Sequence, residues 1–345
     1  MLNITYETFA KNQSRLKKRI QLLREEVGLK KYKKHWHPLD LKEKKAHIGA
    51  EDGSINHKKY KGLILYAINA SAPVYNDKIT DSHFSDIDIL YPYREIKDRL
   101  DIYRTIFEFK ASLRVIDDVD LFLVDGSLYS DLVAPRDLGT GLSKEEKKEV
   151  MEFLPEIEQS DEVEIVSKRL AGNIKGPNRF QKIAFLEYLE YISTLKRFIE
   201  RGRDKVVGVS KTASTSSFEE GMPDIAVFDE VSKEPGFGFA MEREKILQKK
   251  FPIYGEFFTS FVPFFSYFYA RLEKNRGVFM MEVPRDIDEK EIIDLLSKIR
   301  STSVDGYPYL LRKAHKDVVI TNRDIEKFAN SLGISNMTGR EALSW

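Results

Sequence analysis

The sequence predicts an α/β fold, and three stretches carry that prediction. "AHIGAEDGS" and "KGLILYAINASAPVY" read as a β-hairpin, the second arm alternating in polarity and starting at Gly62. Residues 94–117 place Ile96, Leu100, Tyr103, Phe107 and Leu113 near one face of a helix. "VDLFLVDGSLYSDL" then supplies a continuous apolar run of the kind found in strands covered on both faces. Hairpin, helix and buried strand, in that order, describe a sheet with helices packed on it.

The remaining elements extend this pattern. Phe9, Leu16, Ile20, Leu23 and Val27 fall at spacings of three and four, the stripe of an amphipathic N-terminal helix. Such a stripe usually packs on its own domain, and pairing with another chain is the alternative. "KKYKKHWHP" follows as a basic link, suited either to a solvated loop or, through Tyr32 and Trp36, to nucleic-acid backbone and bases. Residues 142–170 read as a charged helical insertion and 179–201 as a strong amphipathic helix. "DKVVGVSK" and "DIAVFDEV" are expected strands, joined by a Ser/Thr-rich loop and a "GMP" turn. The aromatic block 257–269 is expected in the core or at a subunit interface. "GVFMMEVP" reads as a strand and "DEKEIIDLLSKIRS" as a helix, with a last helix, "NRDIEKFANSLG", capped by Asn322 and stopped by Gly333. Three regions result: an N-terminal helix and basic linker (1–40), a main domain (41–335, with a helical insertion at about 140–200) and a C-terminal tail (336–345).

Composition narrows the chemistry. Lys+Arg 56 against Asp+Glu 55 excludes a globally basic binder, yet residues 1–62 hold 16 basic and 7 acidic side chains, enough for a local polyanion-binding face. The absence of cysteine removes disulfides, thiolate metal sites and thiol nucleophiles together. The N-terminus lacks the pattern of a signal peptide. The most apolar stretch, interrupted by Pro263, is shorter than the ~20 residues of a membrane span. A soluble, cytoplasmic protein is expected.

Asp-Gly-Ser occurs twice, in "EDGS" at 51–54 and "VDGS" at 124–127, each where a strand is expected to end. A single Asp-Gly pair is usually a turn. Here Asp52 and Asp125 are expected at neighbouring strand ends, with Gly53 and Gly126 letting the chain turn away. Glu108 lies on an otherwise apolar helix flank and needs a partner or a metal; Arg104, at i−4, is one such partner. Oxygen ligands of this kind suit Mg²⁺ or Mn²⁺ and phosphodiester hydrolysis. "DGYPYLLRKAHK" adds Tyr307 and His315, the latter a metal ligand or a proton donor. Lys211 and Arg271 are candidate phosphate contacts.

Taken in order, "EDGS" with "GLILYAINA", the Glu108 helix leading into "LFLVDGSL", "VVGVSK" and "GYPYLLRKAHK" make the sequence resemble the NurA family of DNA nucleases over about residues 47–320. That resemblance implies a ribonuclease H-like mixed sheet flanked by helices, in a homodimer around a DNA channel. It also implies work with a HerA-type hexameric translocase in DNA end resection. The implied activity is Mn²⁺- or Mg²⁺-dependent, 5′-to-3′ on single- and double-stranded DNA, with endonucleolytic action on single strands. Asp52, Glu108, Asp125 and His315 are the implied metal ligands, with Tyr307 an accessory group near the scissile phosphate. The resemblance assigns no role to residues 135–180 or to the N-terminal basic stretch. A metal-dependent phosphatase and a non-catalytic DNA clamp stand as alternatives, separable by salt-dependent affinity for long DNA and by cleavage.

Overall fold

The computed structural model describes residues 3–26, 29–60, 63–134, 138–139, 141–218, 221–239 and 264–334. In chain order the strands are β1 (Trp36–Pro38), β2 (Ile48–Tyr60), β3 (Leu63–Ser71), β4 (Val74–Asn76), β5 (Lys78–Thr80), β6 (His83–Leu90), β7 (Leu121–Val124), β8 (Val206–Ser210), β9 (Gly236–Phe239), β10 (Ser266–Arg271), β11 (Phe279–Val283), β12 (Ser303–Val304) and β13 (Tyr307–Pro308). The helices are α1 (Asn3–Glu26), α2 (Ile96–Leu113), α3 (Leu128–Val133), α4 (Lys144–Met151), α5 (Leu154–Gln159), α6 (Val166–Leu170), α7 (Arg179–Gly202), α8 (Asp224–Val231), α9 (Glu289–Ser301), α10 (Tyr309–Val318) and α11 (Asn322–Ser331).

One large mixed sheet runs in the order β1-β9-β10-β11-β8-β7-β2-β3-β6. The half that carries β6, β3, β2, β7 and β8 has the ribonuclease H-like arrangement. Strands β2, β3 and β6 form an antiparallel meander, and β7 then β8 add in parallel on the other side of β2. The connection from β6 to β7 is the helix α2, as a parallel addition requires.

Strand alternation decides which helix covers which face. Phe122, Val124 and Val206 point into a core shared with α2 and α7. Ile48, Ala50, Leu121, Leu123, Val207 and Val209 point the opposite way, into a core shared with α9 and α10. Tyr60, Leu65 and Ala67 extend that second face beneath α11. Between α2 and α7 a fully buried polar group fastens the first layer. The Arg99 guanidinium donates to both Glu187 oxygens at 2.6 and 2.7 Å, and to the Tyr91 carbonyl at 2.9 Å.

Several sequence expectations need correction. "DIAVFDEV" is helix α8, not a strand: Val227 and Phe228 are buried and Ile225 and Val231 half-buried, a helical spacing over the Trp36 and Tyr269 cluster. The last helix is capped by Thr321, whose hydroxyl accepts from the Asp324 amide, and not by Asn322. Along α1 the stripe does not pack on its own domain, since Phe9, Leu16 and Ile20 are exposed; the side chains of Leu23 and Val27 lie outside the described residues. Trp36 is buried against Phe228, and Tyr32 bonds the Phe218 carbonyl at 2.6 Å, so these two rings serve packing before base stacking. Of the aromatic block, Phe265, Phe268 and Tyr269 are core, and residues 257–263 lie outside the described set, as do 336–345.

Candidate metal centre

The same alternation assembles the site. Asp52 follows Ile48 and Ala50 on the α10 face of β2, Asp125 follows Leu121 and Leu123 on that face of β7, and Lys211 follows Val207 and Val209 on that face of β8. Parallel pairing sets Glu51 beside Val124, which brings Asp52 level with Asp125. Helix α10 crosses this face and contributes His315, whose Nδ1 is 2.7 Å from Asp52 Oδ2. One ligand atom from each of Asp52, Asp125 and His315 lies within 4.8 Å of the others. Two carboxylates and an imidazole form a donor set that fits Mn²⁺, and with added water Mg²⁺.

Lys211 and Tyr307 border this trio. Lys211 Nζ is 3.0 Å from Asp125 Oδ2 and 4.8 Å from the Tyr307 ring centroid. Burial works against the ammonium, but Tyr307 and Asp125 outweigh it and raise the Lys211 pKa above its ordinary value. Burial pushes the Tyr307 phenol up to about 12, with Lys211 pulling the other way. Asp52 is raised by burial and by Asp125, with His315 opposing. A cation placed among these oxygens would relieve that repulsion.

Glu108 arrives from the other face of the sheet. It bonds Arg104 on its own helix, the i−4 pairing open from sequence, and it is outside the three-residue cluster. Its carboxyl is pushed up to about 7 by burial, against the pull of Arg104 and with a further push from Asp52. Gly53 makes this approach possible, because a β-carbon there would sit 2.4 Å from Glu108 Cγ. The first Asp-Gly-Ser is therefore not a turn. Strand β2 runs straight through it to Tyr60, and Gly53 serves close approach instead; the second ends its strand, with Gly126 at φ +152°.

Arg271 cannot meet a phosphate. It is buried, and its Nη2 donates to Asp229 Oδ1 and to the Ser232 carbonyl, both at 2.9 Å. It ties β10 to the end of α8. Two carboxylates that sequence reasoning missed lie beneath the site. Glu51 Oε1 accepts from the Asp125 amide at 3.2 Å while its buried Oε2 finds no hydrogen-bond partner among the described residues. Glu282 accepts from Ser127 Oγ and the Tyr129 amide. Acidic residues inside the apolar runs "HIGAE" and "FMMEV" were the available signal.

Burial raises the Glu282 carboxyl to about 7, with Tyr129 and Ser127 holding it down. Between its unfolded value near 4.5 and this folded value the native state binds the extra proton. Its contribution to stability is therefore complete below the unfolded value and is lost as pH rises through about 7. Glu282→Gln should flatten the decline in melting temperature measured in chelator between about pH 5 and 8, a contribution on the order of 3 kcal/mol.

The sequence profile of the NurA domain matches residues 47–320. This chain belongs to the NurA family. Among NurA relatives, the probable DNA double-strand break repair nuclease NurA of Methanocaldococcus jannaschii is 28% identical over 373 residues, covering 98% of this chain and 91% of its own. The corresponding Sulfurisphaera tokodaii nuclease is 26% identical, covering 97% and 96%. The crystal structure of the NurA nuclease from Sulfolobus solfataricus superposes with a TM-score of 0.76 at 20% identity, over 96% of this chain and 97% of that one. A crystal structure of NurA bound to dAMP and manganese gives 0.75 at 14% identity, over 98% and 99%. The mixed α/β sheet is thus the NurA fold throughout its described length.

Proposed function

We propose that the protein is a metal-dependent deoxyribonuclease of DNA double-strand break repair. The observation that carries the reading is the convergence of Asp52, Asp125 and His315 ligand atoms within 4.8 Å, with Lys211 beside them. Membership of a family whose named relatives are break-repair nucleases supports the substrate. Asp52, Asp125 and His315 would hold Mn²⁺ or Mg²⁺, and Glu108 would complete the set through the gap left at Gly53. Bound there, the cation supplies Lewis-acid polarisation of the phosphate and lowers the pKa of water.

The chain's own groups do the rest. Lys211 neutralises Asp125 and presents a cation to a phosphate oxygen. Tyr307 backs Lys211 from below and borders the scissile group. His315, its Nδ1 2.7 Å from Asp52, joins the carboxylates as a ligand, and only a His315 outside the ligand set would be free to protonate the leaving 3′-oxygen. The exposed, basic segment at Lys33 and Lys34 sits near the loop that follows Lys211, through the Tyr32–Phe218 contact, and suits the DNA backbone.

In this reading degradation runs 5′-to-3′ on single- and double-stranded DNA, with endonucleolytic cuts in single strands, and is coupled to a HerA-type hexameric translocase. The protein acts as a homodimer. Supporting the dimer, α1 exposes Ile4, Tyr6, Phe9, Leu16 and Ile20. Deleting residues 1–26 should halve the mass seen by light scattering before it changes the chemistry. Among the described residues no helix is long and apolar enough to cross a membrane. The test of the activity is incubation of end-labelled linear DNA with Mn²⁺, Mg²⁺ or excess chelator. A metal-dependent ladder with 5′-to-3′ polarity supports the reading; intact DNA in every lane contradicts it.

A further inference from the structure

The loop bearing Asp125 is held from the opposite face of the sheet by a carboxylate two strands away. In β11, Met281 and Val283 face α9 and α10, so Glu282 points to the other side. Between it and the end of β7 lies β8, where Gly208 pairs with both Glu282 and Val124. A β-carbon at Gly208 would stand 2.7 Å from the Gly126 carbonyl and 3.6 Å from Glu282 Cβ. With no side chain there, Glu282 passes over β8. Its Oε2 accepts from Ser127 Oγ at 2.9 Å and its Oε1 from the Tyr129 amide at 2.8 Å. Ser127 in turn caps α3, its Oγ accepting from the Ser130 amide at 3.1 Å.

We propose that Glu282 is a positioning residue for the metal centre, fixing the 125–129 turn so that Asp125 stays level with Asp52 on the far face. This inference rests on the proposed metal site. Its chemistry is that of an outer hydrogen-bond partner. Its bonds go to Ser127 and Tyr129 and not to Asp125 itself, so its loss is expected at the low end of the about 10–100-fold by which outer hydrogen-bond partners tune metal affinity. The buried carboxylate makes both bonds with fixed geometry, and β11 is an interior strand of the sheet, so the turn is referenced to the sheet and not to solvent.

The test is Mn²⁺ binding to the full chain without DNA, by titration calorimetry, with circular dichroism and melting temperature recorded for each variant. Glu282→Leu keeps the volume and removes both acceptors. It is expected to weaken Mn²⁺ about tenfold. Glu282→Gln keeps an acceptor for the Tyr129 amide and a polar partner for Ser127, and is expected to stay within about threefold of the wild type. Ser127→Ala, a milder change should Glu282→Leu fail to fold, is expected to lie between them. A merely structural Glu282 would lower the melting temperature while folded Glu282→Leu or Ser127→Ala binds Mn²⁺ like the wild type, which overturns the proposal. Equal losses in the Leu and Gln variants overturn its hydrogen-bond basis. Asp125→Ala separates the two levels: it should abolish binding, and if the wild type itself binds no Mn²⁺ the metal reading fails and this inference fails with it.

Discussion

Asp125→Ala is expected to reduce Mn²⁺-dependent cleavage of linear DNA by ~10³-fold or more, with the melting temperature in chelator unchanged or raised. Asp125 contributes one of three convergent ligand atoms and also anchors Lys211, so its loss removes a ligand and frees the neighbouring cation. Stability should not suffer, because the carboxylate is half-buried at a strand end and repels Asp52. Asp52→Ala should behave alike and also release His315. Initial rates on end-labelled DNA at saturating Mn²⁺, beside thermal scans, check both halves. Retained cleavage in the two variants would remove these carboxylates from the chemistry.

The largest effect on folding is expected far from the site, at Glu187. Its carboxylate, fully buried, accepts two bonds from Arg99 and one from the Tyr103 hydroxyl. Glu187→Ala leaves the guanidinium buried without its counter-charge, which costs about 3–5 kcal/mol. Replacing the pair together, as Arg99→Met with Glu187→Leu, should recover part of that loss, because two apolar groups need no partner, while the Tyr91 and Pro92 carbonyls and the Tyr103 hydroxyl lose theirs. Urea unfolding of the single and double variants measures the coupling. Nuclease activity per folded molecule should change little, since α2 meets the site through Glu108 and not through Arg99.

The candidate site was legible in the sequence wherever strand parity could be read. "HIGAEDGS" and "LFLVDGS" place their aspartates on one face by the alternation that buries Ile48, Ala50, Leu121 and Leu123. Lys211, at the end of "VVGVS", follows the same rule. What alternation alone did not give was the far side of the sheet. Glu51 and Glu282 stand in runs so apolar that their charges are absorbed by buried amides and a hydroxyl, a long-range match with no local signature. Arg271 failed as a DNA contact for the related reason that β10 is interior, so its cation is spent on Asp229 and the end of α8. "DIAVFDEV" misled because its apolar residues satisfy a helical spacing as well as a strand's, and Pro223 starts a helix as readily as it ends a turn. The turn expected at the first Asp-Gly-Ser proved to be a continuous strand, yet the glycine is required there by Glu108.

Anomalous diffraction at the manganese edge, from crystals grown with Mn²⁺, locates the ion directly. A peak coordinated by Asp52, Asp125 and His315, lost in crystals of Asp125→Ala, is the expected result. A strong peak on other side chains, with His315 still bonded to Asp52 and Lys211 to Asp125, would contradict it.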